Sequence, residues 1–321
     1  MGLRVCLIDE TAPGQQQALN RALARRMEIT TVSVHERWHR RITEIDDYES
    51  YDAFLWRVKF RHLANEDPFD WGDYEGARLL YEPDACQNYS AVASRQYLGR
   101  FPDVVHRNGF QALICTGREV RDRFRADGIN AYWIPKGYDA DAITYDAHAD
   151  RAGLCYYGRQ YLGREALLAQ LRRAEFAYTE VRCSLAELGR RLNRFAGCFI
   201  CNMEVRGAER IPMRVLRVVP KQWLSVRPGL EPMAKNFEAA GAGCAPICDD
   251  IPELAELGFE DGITMVSYTS FAELVEKISE STTEDLCQIG RQAAQLAQAR
   301  HTLDHRAAEL EQLILSGAYL R

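Results

Sequence analysis

Between Arg227 and Asp250 the chain reads RPGLEPMAKNFEAAGAGCAPICDD, a stretch that gathers groups suited to a phosphorylated ligand. The pattern predicts an acidic, Pro-containing loop, a short helix and a buried strand over 245–248. Gly241 and Gly243 stop the helix, because glycine adopts positive φ without steric cost. A helix that starts beside a parallel sheet aims its first amides at whatever occupies the strand ends. Those amides, with Lys235 and Asn236, suit a phosphate, and the Glu238 carboxylate suits a ribose diol. An ordinary strand–helix unit with surface carboxylates would read the same way from residues alone.

The elements that must position these groups alternate in type. Apolar strands are predicted at 3–8, 29–34, 51–58, 77–81, 111–115 and 131–134, with a helix opening at Pro13-Gly14 and another after Thr116-Gly117. Strands buried on both faces with helices between them indicate a parallel sheet. Ligands of such sheets gather outside the carboxyl ends of the strands. That rule nominates Glu10, Arg61, Glu82, Asp84, Thr116 and Lys136, with Glu82 and Asp84 as the pair to orient or deprotonate a hydroxyl. His62 and His106 are lesser candidates. The acidic aromatic stretch 65–76 reads as a surface excursion or as a lid over an acceptor.

The polar run TYDAHADRAG suggests a linker, and the domain boundary is expected near Asp146. A second set of strands follows at 154–157, 176–183, 199–203 and 264–268. Ser184 with Glu187 forms a capping box, and Ser270 caps a helix over 270–278. Arg159 and Arg164 straddle the loop and helix start after the first of these strands, an arrangement suited to a diphosphate. The basic segment 204–230 reads as partly packed surface. The tail from His301 carries a helical apolar stripe through Leu303, Ala307, Leu310, Leu313 and Ile314, and His301 and His305 read as capping or packing residues.

Composition narrows the class. At 321 residues with 47% apolar content, the chain can bury one large or two medium cores. It has no apolar run long enough to span a membrane, and MGLRVCLIDE enters a strand directly, so a cytoplasmic location is expected. The net charge of −6 disfavours a strong, sequence-independent hold on nucleic acid. The ten cysteines are expected to be free thiols, with no metal bound, since Cys198 and Cys201 would point to opposite faces of one strand. GxGxxG after the first strand, GxxxxGK[ST] and GxSxG are all absent, which removes dinucleotide oxidoreductases, P-loop enzymes and α/β-hydrolases.

KNFEAAGAGCAPICDDIPELAELGFEDGITMVSYTSFAELVEKI resembles the nucleotide-binding domain of GT-B glycosyltransferases, nearest to CgeB-like and family-4 retaining types. QALICTGREVRDRFRADGINAYWIPKGYDAD similarly resembles the end of their first domain. The resemblance implies two Rossmann-like parallel-sheet domains facing across a cleft. These are residues 1–146 on the acceptor side, 147–300 for the nucleotide sugar, and a helix at 301–321 crossing back. It implies that Glu238 holds the donor ribose and that Glu231 lies near the donor sugar or its phosphates. The two glutamates stand one residue closer than that family's usual spacing. Arg164 stands where those enzymes carry a lysine. Arg159, Arg164 and the amides near Lys235 would stabilise the leaving diphosphate.

The implied activity is metal-independent, retaining transfer of a hexosyl or pentosyl group from a nucleotide sugar to a hydroxyl. The acceptor would be a glycan, a small molecule or a modified DNA base; beyond the donor, no cofactor is implied. A DNA-modifying transferase would draw support from the basic segments 57–61 and 206–227. A non-catalytic two-domain nucleotide or sugar binder, or an epimerase on the same fold, are the other readings.

Overall fold

The computed structural model describes residues 2–10, 15–33, 42–65, 67–90, 97–158, 162–205, 215, 218–220, 223–224, 226–227 and 229–320. The backbone divides into two compact units. The first comprises Met1–Tyr89, Gln96–Pro135 and Leu303–Arg321, and the second Ser90–Arg95 and Lys136–Thr302.

Unit 1 is built on six strands: β1 (Arg4–Asp9), β2 (Glu28–Ser33), β3 (Ala53–Arg57), β4 (Ala77–Glu82), β5 (Ala112–Cys115) and β6 (Ala131–Trp133). Their order is β2-β1-β3-β4-β5-β6, and every pairing is parallel. The interior strands are near-continuous apolar runs because both faces are covered. Edge strand β2, by contrast, is largely exposed. Helices α1 (Gln15–Ala24), α2 (Phe60–Asn65), α3 (Phe101–Arg107) and α4 (Arg118–Ala126) make the connections. The chain places β2 on one side of β1 and β3 on the other. A crevice therefore opens at the carboxyl ends of β1 and β3, the switch point where open α/β sheets take ligands.

The stretch 65–76 is neither excursion nor lid. Phe69, Trp71 and Tyr74 are buried and pack edge-on against Phe54 and Trp56 of β3, with the Trp56 and Phe69 rings 4.5 Å apart. Asn108 secures it: its carboxamide oxygen accepts from the Phe69 N–H at 3.2 Å, and its backbone carbonyl accepts from the Trp71 indole at 2.6 Å.

Unit 2 carries β7 (Leu154–Tyr157), β8 (Thr179–Val181), β9 (Gly197–Ile200), the short antiparallel pair β10 (Glu204–Val205) and β11 (Val226–Arg227), then β12 (Ala245–Asp249) and β13 (Val266–Tyr268). The main sheet has the order β13-β12-β9-β7-β8, parallel throughout. Its helices are α5 (Leu162–Arg173), α6 (Leu185–Leu192), α7 (Ala234–Gly241), α8 (Pro252–Glu256), α9 (Phe271–Glu280) and α10 (Thr283–Arg300). The Ser184–Glu187 capping box forms, and Ser270 Oγ accepts from the Glu273 N–H at 3.2 Å. The polar stretch around Asp146 is tied to this unit, where Asn193 Oδ1 accepts from the Asp146 N–H at 2.9 Å. Gly243 takes φ +72 just past α7, as a helix stop requires. Gly241 does a different job: it lies inside α7, where a Cβ would enter the Tyr138 ring.

The final helix, α11 (Leu303–Ser316), belongs to unit 1. Its Ala307, Leu310, Leu313 and Ile314 complete the core formed by Leu7, Leu55, Leu79 and Ile114. His301 falls before this helix, as the C-cap of α10, and its ring packs on Phe237 and Phe259 while Nε2 meets the Leu257 carbonyl at 2.8 Å. Among the described residues no helix is long and apolar enough to cross a membrane.

Candidate active site

Glu238 is buried in α7, a helix enclosed on every side, since Asn236, Phe237, Ala239, Ala240 and Gly241 are inaccessible too. Its Oε2 accepts a 2.7 Å hydrogen bond from the Tyr157 hydroxyl at the end of β7. Burial, and next the adjacent Glu238 carboxylate, push the Tyr157 phenol well above its usual range, so it stays a donor. This bond fixes the direction of the Glu238 carboxylate, which has about four acceptor directions in all. Both residues line a pocket of about 600 Å³ at the carboxyl ends of β7 and β8, with Tyr156, Val181 and Leu188 on its apolar side and Glu180, Arg182 and Ser184 on its polar side. A part-apolar wall beside convergent polar groups is a usual build for a site that takes a flat, hydrogen-bonding ligand.

Lys235, one turn before Glu238, folds back over the same strand end. Its ammonium donates to the Tyr157 carbonyl and lies 5.0 Å from the centre of the Tyr157 ring. Gly158 makes this approach possible: it adopts φ +95, and a Cβ there would occupy the position of Lys235 Nζ. Burial, then the positive charge of Arg164, push the Lys235 pKa down to about 8. Arg164 is itself buried; its Nε donates to the Cys201 carbonyl at 3.2 Å and its terminal nitrogen lies on the Met233 sulfur. Asn236 accepts from the Met233 N–H at 3.0 Å and so closes the start of α7. Lys235, Asn236, Glu238 and Arg164 are thus brought to one region of unit 2. Arg159 lies outside the described residues.

Glu231 is placed differently. Its Oε1 pairs with Lys136 Nζ at 2.7 Å, and both side chains are largely buried. The loop leading to it is anchored by Asp249, which sequence reasoning did not single out. The fully buried Asp249 carboxylate accepts from the Asn202 N–H at 2.7 Å and the Gly229 N–H at 3.4 Å. Burial pushes its pKa up to about 6, against the lowering effect of those hydrogen bonds.

In unit 1, Glu82 and Glu10 flank β3 and clamp the turn into α2. Glu82 accepts from the Phe60 N–H at 3.1 Å and from the Asp84 N–H at 2.9 Å, while Asp84 itself is exposed. Two backbone donors thus hold the Glu82 carboxylate at the turn into α2. Glu10 receives the Lys59 N–H at 3.0 Å, the Lys59 ammonium at 2.7 Å and His62 Nε2 at 2.8 Å. One residue upstream, buried Arg57 pairs with Asp9 at 2.6 Å, so Arg57 is not a surface cation for nucleic acid. His106 lies exposed on α3. The side chain of Arg61 and most of 206–227 lie outside the described residues.

All ten cysteines are free thiols. Among the described residues no group of three His, Cys, Asp or Glu is arranged to hold a metal ion.

The fold is that of the GT-B glycosyltransferases, two parallel-sheet α/β units of this order. Residues 213–312 match the family described as glycosyl transferase-like. Among solved structures the chain is similar to sucrose-phosphate synthase from Thermosynechococcus elongatus, with 13% identity over 98% of each chain and a TM-score of 0.62. It is also similar to Anabaena HepE in complex with UDP and glucose, with 12% identity over 98% of this chain and 100% of that one, TM-score 0.62. A third is the DNA-modifying enzyme β-glucosyltransferase, 10% identical over 99% of each chain with a TM-score of 0.58. No curated protein matches. The GT-B resemblance read from the sequence therefore reappears in both the family match and the fold.

Proposed function

We propose that the protein is a glycosyltransferase that takes a sugar from a nucleotide-activated donor held in unit 2 and delivers it to a hydroxyl. The observation that carries this is Glu238, fixed by Tyr157 in the wall of a pocket at the carboxyl ends of β7 and β8. There the carboxylate can accept from both hydroxyls of a ribose, and the apolar side of the pocket suits the base. Lys235 and Arg164, with the first turn of α7, supply positive charge for a leaving diphosphate. Charge of this kind does the work a bound cation does elsewhere, so transfer is expected to be metal-independent.

A uridine nucleotide is the first donor to test, because two of the similar proteins were solved with UDP or UDP-glucose. Retention at the anomeric carbon is what the sequence resemblance implies. The test is release of nucleoside diphosphate from UDP-glucose, UDP-N-acetylglucosamine, GDP-mannose, ADP-glucose and dTDP-glucose, followed with and without EDTA. Turnover of one donor that survives EDTA supports the reading. Turnover that collapses in EDTA and returns with Mn²⁺ refutes metal independence, and no turnover of any donor refutes the transferase.

A further inference from the structure

Unit 2 has a second cavity, of about 430 Å³, beside β8, the strand that ends its sheet order. One side is residues 179–182, and the other is Arg191, Arg194 and Phe195 around the end of α6. Among the described residues β8 pairs with β7 alone. A strand at a sheet edge presents main-chain N–H groups to whatever lies there.

Three guanidinium groups and one carboxylate line this cleft. Arg182 pairs with Glu180 at 2.8 Å, which balances those two charges. Arg191 and Arg194 are exposed and carry no ion pair among the described residues. The α6 dipole favours cations in its last turn, where Arg190 and Arg191 stand, and Arg190 also lies 3.5 Å from Glu187. Arg194 falls beyond the C-cap Asn193, outside that turn. The cleft therefore holds positive charge that neither the helix nor a described carboxylate accounts for. Guanidinium forks match phosphate oxygens, and the half-buried Phe195 gives the same cavity an aromatic surface.

We infer that this cleft binds an organic phosphate monoester, with Arg191 and Arg194 on the phosphate and Phe195 against the organic body. The three residues of β8 make a short edge for pairing with a peptide strand, which favours a small ligand over an acidic protein segment. The site is separate from the pocket that holds Glu238, although Glu180, Val181 and Arg182 line both. Cys183 lines that neighbouring pocket and supplies a reporter. Burial, then Glu187, raises its thiol pKa, and the Arg191 charge lowers it. A phosphate on Arg191 cancels the lowering, so less thiolate is present to react.

The test titrates the full chain with inorganic phosphate and phenyl phosphate by calorimetry, and follows iodoacetamide alkylation of Cys183 by peptide mass spectrometry. Phenyl phosphate is expected to bind more tightly than inorganic phosphate and to slow Cys183 alkylation severalfold at constant pH. Arg191→Gln combined with Arg194→Gln is expected to melt as the wild type does, to bind phenyl phosphate about 10-fold or more weakly, and to lose the slowing. Lys235→Met, changed at the other pocket, is expected to bind phenyl phosphate as the wild type does. No binding by the wild type, equal binding by the double variant, or an unchanged Cys183 rate at saturation overturns the inference. Loss of binding in Lys235→Met also overturns it and moves the anion to the Glu238 pocket. A hexaglutamate peptide that binds more tightly than phenyl phosphate overturns it in favour of an acidic protein segment. None of these readouts requires turnover, so they stand or fall apart from the transferase.

Discussion

The Tyr157 hydroxyl and the Glu238 carboxylate meet at 2.7 Å, joining the end of β7 to the enclosed helix α7. This bond brings a strand and a helix together around one pocket and fixes the direction of the carboxylate. Glu238→Gln keeps the shape and removes the charge. It is expected to weaken binding of the cognate nucleoside diphosphate about 10- to 100-fold, the value of one hydrogen bond to a charged group at ~1.5–3 kcal/mol. Tyr157→Phe should weaken it less, because it removes only the orientation. Titration calorimetry on both variants checks the order, and a larger loss in Tyr157→Phe would contradict it.

Lys235 gives binding a pH dependence. An ordinary lysine keeps its proton to about 10.4; here the folded free protein releases it near 8. Between those values the unfolded chain holds more protons than the folded one, so this group makes stability rise with pH. A bound diphosphate favours the ammonium, so binding should take up a proton above pH 8 and weaken with further rise. Calorimetry at pH 9 in buffers of different ionisation enthalpy reads the uptake, and Lys235→Met should abolish it.

Much of unit 2 was legible because its signals are local. The run from Lys235 to Cys248 is a helix, a glycine stop and a strand within a few turns of chain, and residue types alone mark each part. Pairings made by strand order were not legible. Glu10 meets His62, and Asp249 meets Asn202, only because β1 lies beside β3 and β12 beside β9. Helix α10 escaped notice because Ala293, Ala294 and Ala297 give its buried face little contrast with its surface. Stretch 65–76 misled for the opposite reason: its acidic residues hid three aromatic side chains that belong to the core.

That aromatic stretch should behave as core in unfolding. Trp71→Ala removes a buried ring packed on Phe54, Trp56 and Phe110, and is expected to cost about 3–5 kcal/mol. Urea denaturation measures it. A cost within roughly 0.5 kcal/mol, as for a surface position, would contradict the packing described.

Asp249 gives the opposite pH signature to Lys235. Its folded pKa is raised to about 6 from an ordinary value of 3.8, so between those values the folded state holds a proton that the unfolded state has released. Its contribution is fully present below 3.8 and is lost as pH rises through 6. The melting temperature of the wild type relative to Asp249→Asn should therefore fall from pH 4 to 7 and flatten above it. A difference independent of pH would show that the buried carboxylate titrates normally.

The donor site proposed in unit 2 is tested most directly by thermal shift with UDP, GDP, ADP, CDP and dTDP, on the wild type beside Glu238→Ala. One nucleoside diphosphate should raise the wild-type melting temperature, as any ligand that binds only the folded state does, and the variant should lose that shift while remaining folded. No shift with any of the five, or an equal shift in Glu238→Ala, would contradict the assignment of Glu238 to the donor.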